Sequence, residues 1–293
     1  MTSATATSRV SFGIMTAQQQ VGYADLLRVW QEADAVPQIE HAWLFDHLLP
    51  IGGDPHGPVL EGWTLLAALA AQTRRLRLGL LVTSNRIRPP AVLAKIATTV
   101  DVVSGGRLEF GIGVGSRPQP PEAWREYPAH GLPFDDFAPA VASLDEACTI
   151  IRRLWTESEP FDFDGRRHQL TGAFASPKPV QQPHPPITIA GRTNATLRVV
   201  ARHANVWNIP GGDLDDCIER SARLDRLCTE IGRDPATITR SVVLPFSHGR
   251  PQATRDAIRT VLDGGFTRVM LGLATPYSDG ILQQVADTIS GIA

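Results

Sequence analysis

Eight times along the chain a short apolar run gives way to a stretch with helical apolar spacing, and this alternation restricts the fold more than any other feature. Strands are predicted at 10–15 (VSFGIM), 41–45 (HAWLF), 76–82 (LRLGLLV), 107–114 (RLEFGIGV), 187–190 (ITIA), 206–209 (VWNI), 238–246 and 267–272. Helices are predicted at 23–35, 63–71, 91–103, 138–155, 194–203, 213–231, 252–263 and 279–291. Pro89 and Pro90 open the third helix and Ser104-Gly105-Gly106 closes it, as the end preferences of helices require. Eight strand–helix units are the pattern of an α/β fold of the (β/α)8 TIM barrel type, whereas doubly wound sheets rarely run so long. No Gly/Ser or Pro linker divides the chain, so one barrel is expected over 10–293, behind a Ser/Thr/Ala-rich tail at 1–9.

Two stretches interrupt the rhythm. The first, 116–137 (SRPQPPEAWREYPAHGLPFDDF), follows predicted strand four and carries five prolines and several aromatics. The second, 159–186, contains FDFDGRRHQL, a hairpin pattern with Asp-Gly at its turn, and then a Pro-rich run. Loops that follow strand C-termini build the active face of a barrel, and long ones tend to be functional. The first insertion is therefore expected to act as a lid or substrate wall, with a packing arm or dimer surface as the other reading.

Composition excludes several classes of function. Lys+Arg number 28 against 30 Asp+Glu, so no basic footprint points to nucleic acid. No apolar run approaches the roughly 20 residues a bilayer span needs. Cys148, Cys217 and Cys228 are odd in number and lack CxxC spacing, which fits reduced thiols of a cytoplasmic protein. The only lysines are Lys95, inside a predicted helix, and Lys178, in a Pro-rich loop, so Schiff-base chemistry has no well-placed amine. The histidines are scattered without ligand spacing, and no metal site is expected.

A few residues at predicted strand ends carry chemical potential. Asp46 and His47 follow strand two directly, where the imidazole can move a proton and the adjacent carboxylate can orient it. A structural histidine is the alternative there. Gly111, Gly113 and Gly115 strip side chains from the end of strand four, where a flat or anionic group would approach the backbone; tight strand-to-loop packing is the alternative. Gly191-Arg192-Thr193-Asn194 leads from strand five into a helix, a phosphate seat or a plain N-cap. Gly211-Gly212 repeats the arrangement after strand six, and two such seats suggest a phosphate-bearing cofactor across strands five and six.

The stretch 78–115, LGLLVTSNRIRPPAVLAKIATTVDVVSGGRLEFGIGVG, resembles the signature region of bacterial-luciferase-like flavin and deazaflavin oxidoreductases. WLFDHL, LWTESEPFDFDGRRHQL and PPITIAGRTNATLRVVARHANVWN extend the likeness from Val10 over nearly the whole chain. The resemblance implies a TIM barrel that binds coenzyme F420, or alternatively FMN, at the strand C-termini. It places Leu81, Val82 and Thr83 behind the ring, with a cis peptide between Leu81 and Val82. It places His47 of the Asp46-His47 pair beside the reactive edge, and it assigns phosphate and tail contacts to 191–196 and 211–212.

Where some members of that family carry a catalytic Glu after the strand-four glycines, this chain has Ser116. The insertion offers Glu122, Trp124, Arg125 and Glu126 in its place. The expected activity is F420-dependent hydride transfer to or from a small organic substrate by a homodimer. The alternatives are an FMN-dependent monooxygenase with a partner reductase and a flavin-binding barrel without catalysis.

Overall fold

The computed structural model describes residues 9–116 and 124–292, so most of the expected tail and Glu122 lie outside the described residues. Eight parallel strands close a barrel in the order β1 (Ser11–Thr16), β2 (His41–Leu44), β3 (Arg77–Leu80), β5 (Leu108–Gly113), β8 (Ile187–Ala190), β9 (Val206–Pro210), β10 (Thr239–Pro245) and β11 (Arg268–Leu273), which pairs back to β1. This is the expected TIM barrel. The predicted third strand is cut in two: the Leu81–Val82 peptide is cis, and the two-residue β4 (Thr83–Ser84) continues on β5, Thr83 opposite Ile112.

The surrounding helices form where apolar residues recur on one face and their ends are capped. In α1 (Tyr23–Ala35) the buried set is Leu26, Val29, Trp30 and Ala33. In α2 (Gly62–Gln72) the Glu61 carboxylate accepts the N–H groups of Trp63 and Thr64 at 3.1 and 2.7 Å. In α3 (Pro90–Ser104) the chain leaves through Gly105 at φ +67°, a conformation L side chains resist. Arg107 then locks α2 to α3, donating to the carbonyls of Ala70, Thr73, Leu76 and Ser104. Beyond β9 and β10 the ring continues with α7 (Leu214–Glu230) and α8 (Pro251–Asp263), and α9 (Ile281–Ile289) closes it.

The two insertions keep their own structure. The first contains a single turn, α4 (Glu126–Ala129), ahead of the long α5 (Phe137–Thr156). The second holds the antiparallel hairpin β6 (Phe161–Asp164) and β7 (Gln169–Ala173), whose turn N–H groups at Arg166, Arg167 and His168 all donate to the Glu146 carboxylate on α5.

Inside the barrel, Trp43, Leu81 and Met270 pack as a layer with Met15, Val82 and Val243. Beneath them Glu109 is held by Arg268 at 3.0 Å and by Arg77. Burial would raise the Glu109 carboxyl, but the two guanidinium groups outweigh it and hold the group below its ordinary range. His41 is buried beside them and accepts the Trp43 indole N–H at 2.8 Å. Burial, reinforced by the charges of Arg268 and Arg77, pushes its pKa well below 6.5 and keeps it neutral. This end of the barrel is filled; the opposite end is open.

Candidate active site

At the C-terminal end of the strands lies a cavity of about 420 Å³. Its floor is Leu81, Val82, Gly113 and Ala190; Phe45, His47, Phe137, Ser116 and Arg192 stand around it. Two of its strands, β5 and β8, bring small residues to the floor, Gly113 and Ala190. A Cβ on Gly113 would sit 2.7 Å from Val82 Cγ2, and Gly115, at φ +95°, would meet Ser84 Oγ at 2.5 Å. The predicted positions Asp46, His47, Leu81, Val82, Gly113, Gly115, Ser116, Gly191 and Arg192 thus all converge on one cavity.

Asp46 has a different task from the one expected of it. Its carboxylate accepts Thr83 Oγ1 at 2.5 Å, Ser84 N at 3.0 Å and Arg88 at 2.7 and 3.1 Å, with the side chain fully buried. Thr83 in turn accepts the Trp63 indole N–H at 2.8 Å, behind the floor rather than in the cavity. Asp46 therefore fastens β2 to the β4 segment and does not touch His47. Adjacent residues leave a strand end on opposite sides, which is why the neighbouring carboxylate is the wrong one for the imidazole.

The carboxylate on His47 comes from the insertion. His47 Nδ1 lies 3.1 Å from Glu126 Oε1, and Glu126 Oε2 accepts the Leu48 N–H at 2.7 Å. Glu126 is 1% exposed. The next residue, Tyr127, reaches the other wall, its hydroxyl 2.9 Å from Ser84 Oγ and accepting Ser116 N–H at 3.2 Å. Arg125 adds bonds to the carbonyls of Pro50 and Pro55, and Trp124 packs on Phe134. These contacts seat the described part of the insertion beside the cavity, against the β2 and β4 segments. The Phe45 ring meets His47 edge-on at 5.3 Å, and among the described residues His47 Nε2 has no hydrogen-bond partner.

The predicted phosphate seats differ from one another. Thr193 is the N-cap of α6 (Asn194–His203) in a reciprocal capping box with Thr196, which leaves the first-turn N–H groups of Asn194 and Ala195 at an exposed helix start. Arg192 lines the cavity, but its guanidinium is paired with Asp216. The Gly211 N–H is taken by Val243 O at 2.7 Å, and neither Gly211 nor Gly212 lines the cavity. Helix α7 starts with its own Asp213 cap followed by Asp215 and Asp216, so negative charge already occupies that N-terminus. Of the first seat, Gly191, Arg192 and Thr196 line the cavity, whereas Thr193 and Asn194 do not.

Sequence reasoning overlooked Arg88 and Tyr127. Arg88 sits in the NRIRPP run with nothing in its spacing to mark it, and Tyr127 appeared only as one aromatic of the insertion. Among the described residues no three His, Cys, Asp or Glu side chains gather as metal ligands, and no helix is long and apolar enough to cross a membrane. Both lysine amines are bonded to backbone carbonyls away from the cavity, Lys95 to Ser176 and Lys178 to Leu154 and Glu157.

Comparison with known proteins places these features in context. A family profile described as luciferase-like monooxygenase matches residues 4–282. An uncharacterized protein of Mycobacterium tuberculosis is 34% identical over 223 residues, 76% of this chain and 71% of that one. The F420-dependent glucose-6-phosphate dehydrogenase of Amycolatopsis mediterranei is 32% identical over 196 residues, 66% of this chain and 54% of its own. Among solved structures, an F420-dependent secondary alcohol dehydrogenase with an F420–acetone adduct superposes at TM-score 0.85, with 17% identity over 98% of this chain and 100% of that one. The oxygenating component of the 3,6-diketocamphane monooxygenase from Pseudomonas putida, in complex with FMN, superposes at 0.71, with 15% identity over 97% and 98%.

Proposed function

Since the chain belongs to the luciferase-like monooxygenase family, we propose that it is an F420-dependent oxidoreductase acting on a small organic substrate. The observation that carries this reading is the His47 imidazole, set by Glu126 at the edge of a flat, glycine-floored cavity. A planar ring suits that floor: Gly113 adds no side chain to it, and Leu81, Val82 and Ala190 offer apolar surface. The exposed start of α6, with Thr193 as its cap, suits an anionic phosphate. The deazaflavin would supply the carbon that gives or takes a hydride, and the protein's share is placement, drying and proton handling.

Each part of that share falls to named residues. Leu81, Val82 and Gly113 form the bed for the ring. Phe45 and Phe137 keep water from the mouth. His47 holds or accepts the substrate proton at Nε2, while Nδ1 stays on Glu126. Asp46 exchanges no proton; its four bonds keep the β2 end and the β4 segment in register.

The FMN-bound neighbour supports a second reading, an FMN-dependent monooxygenase that works with a reductase. Titrating the purified protein with F420 and with FMN, followed by fluorescence quenching, separates the readings. Saturable F420 binding supports the first, and binding of FMN alone supports the second. Binding of neither leaves a barrel without this chemistry.

A further inference from the structure

Consecutive residues of the short helix α4 meet opposite walls of the cavity. Glu126 reaches His47 and the Leu48 N–H on the β2 side; Tyr127 reaches Ser84 and Ser116 on the β4 and β5 side. The Leu48 N–H is a donor whose place does not change, so it pins the carboxylate through Oε2 and aims Oε1 at the ring. A buried carboxylate 3.1 Å from an imidazole nitrogen accepts a proton from it, which makes Nδ1 the protonated nitrogen of the neutral ring. Nε2 is then left with its lone pair, on the side of the ring without a partner among the described residues.

The charges around the ring favour this arrangement. Asp46, the neighbouring acid, is engaged by Arg88, and among the described residues no Arg or Lys side-chain nitrogen lies within 4 Å of the Glu126 carboxylate oxygens. His47 is therefore the group on which the buried carboxylate acts. When the ring takes up a second proton, Glu126 stabilises the resulting cation through a contact that already exists.

We propose that Glu126 is the positioning residue of the site: from the insertion it holds His47 in the Nδ1–H tautomer and makes Nε2 the atom of proton transfer. The proposal rests on the reading of His47 above, yet part of it stands apart from any coenzyme. The division of labour within α4 follows. Glu126 acts on His47, whereas Tyr127 is tied to Ser84 and Ser116 on the other side.

Histidine-directed ¹⁵N NMR of the coenzyme-free protein at pH 8.5 tests the tautomer, with His47 assigned from its loss in a His47→Asn variant. The expected spectrum shows His47 protonated at Nδ1 in the native protein and in Tyr127→Phe. In Glu126→Gln the expected result is movement toward Nε2–H. An Nε2–H ring in the native protein overturns the proposal without reference to F420.

Kinetics supply the other arm. Glu126→Gln is expected to lower kcat at least 10-fold with F420 affinity within 2-fold of native. Unchanged kcat in Glu126→Gln also overturns the proposal. Failure of the native protein to bind F420 overturns the coenzyme reading instead, and leaves the tautomer to be decided by the spectrum.

Discussion

Arg88 grips Asp46 through both terminal nitrogens, at 2.7 and 3.1 Å, and extends the same guanidinium to Glu61, the cap of α2. One cation therefore ties the end of β2, the β4 segment and the start of α2 behind the cavity floor. Burial raises the Glu61 carboxyl, but the N–H groups of Thr64 and Trp63 together with Arg88 outweigh that and hold it below its ordinary value. Asp46→Ala leaves Arg88 half-satisfied and strips Ser84 N–H and Thr83 of their acceptor. Losing one partner of a buried pair costs about 3–5 kcal/mol. Urea denaturation is expected to show a loss in that range, and a smaller one for Asp46→Asn, which keeps an oxygen for Ser84. A loss under about 1 kcal/mol in Asp46→Ala, the scale of an exposed pair, would contradict the anchor.

The floor makes a separate demand at Gly113. An added methyl would stand 2.7 Å from Val82 Cγ2, on the surface proposed to carry the ring. Gly113→Ala is expected to weaken binding of F420, or of FMN under the second reading, by 10-fold or more. The measurement is the same fluorescence titration used on the native protein, and native affinity in the variant would remove the floor from the binding site.

Acid stability is set partly by His41. Folding holds this ring neutral, with a pKa well below 6.5, while the unfolded chain protonates it near 6.5. Its contribution is thus complete above pH 6.5 and declines as the pH falls, by about 1.4 kcal/mol per unit for one proton. His168, also lowered by burial, adds in the same direction, and Glu109 joins only below its ordinary 4.5. Melting temperature measured from pH 8 to 5 is expected to fall less steeply in His41→Gln than in the native chain. Parallel curves would show that His41 titrates alike in both states.

Arg107 is a test of packing by hydrogen bonds. Its half-buried fork serves four backbone carbonyls and Thr73 Oγ1, and burial lowers its pKa below the ordinary arginine value. A lysine has one compact ammonium and cannot span them. Arg107→Lys is expected to cost about 2 kcal/mol, the scale of bonds to a charged donor, read as a lower urea midpoint with unchanged coenzyme affinity.

Much of the architecture was legible because it depends on local signals. The limits of α1 and α6 and the run of β8 follow from apolar period and from residues such as Thr193 that act within one turn. The break in the third strand shows no local mark, since LRLGLLV is apolar from Leu78 onward and only the likeness to a family pointed to the Leu81–Val82 bond. Functional pairings were harder still. His47 and Glu126 are 79 residues apart, and Arg88 and Asp46 are 42. Proximity in the chain made Asp46 the natural partner of His47, whereas barrel closure and the path of the insertion decide the partner in space. Gly211-Gly212 looked like Gly191-Arg192 because both precede a helix; the acids that follow Gly212, and the place of Gly191 and Arg192 in the cavity lining, separate them.

The plugged end of the barrel governs traffic. With Glu109, Arg77, Arg268 and His41 sealing one end and Trp43 and Met270 filling the axis, every molecule reaches the floor through the same mouth. The filled end thus turns the barrel into a berth with a single approach, from the C-terminal ends of its strands.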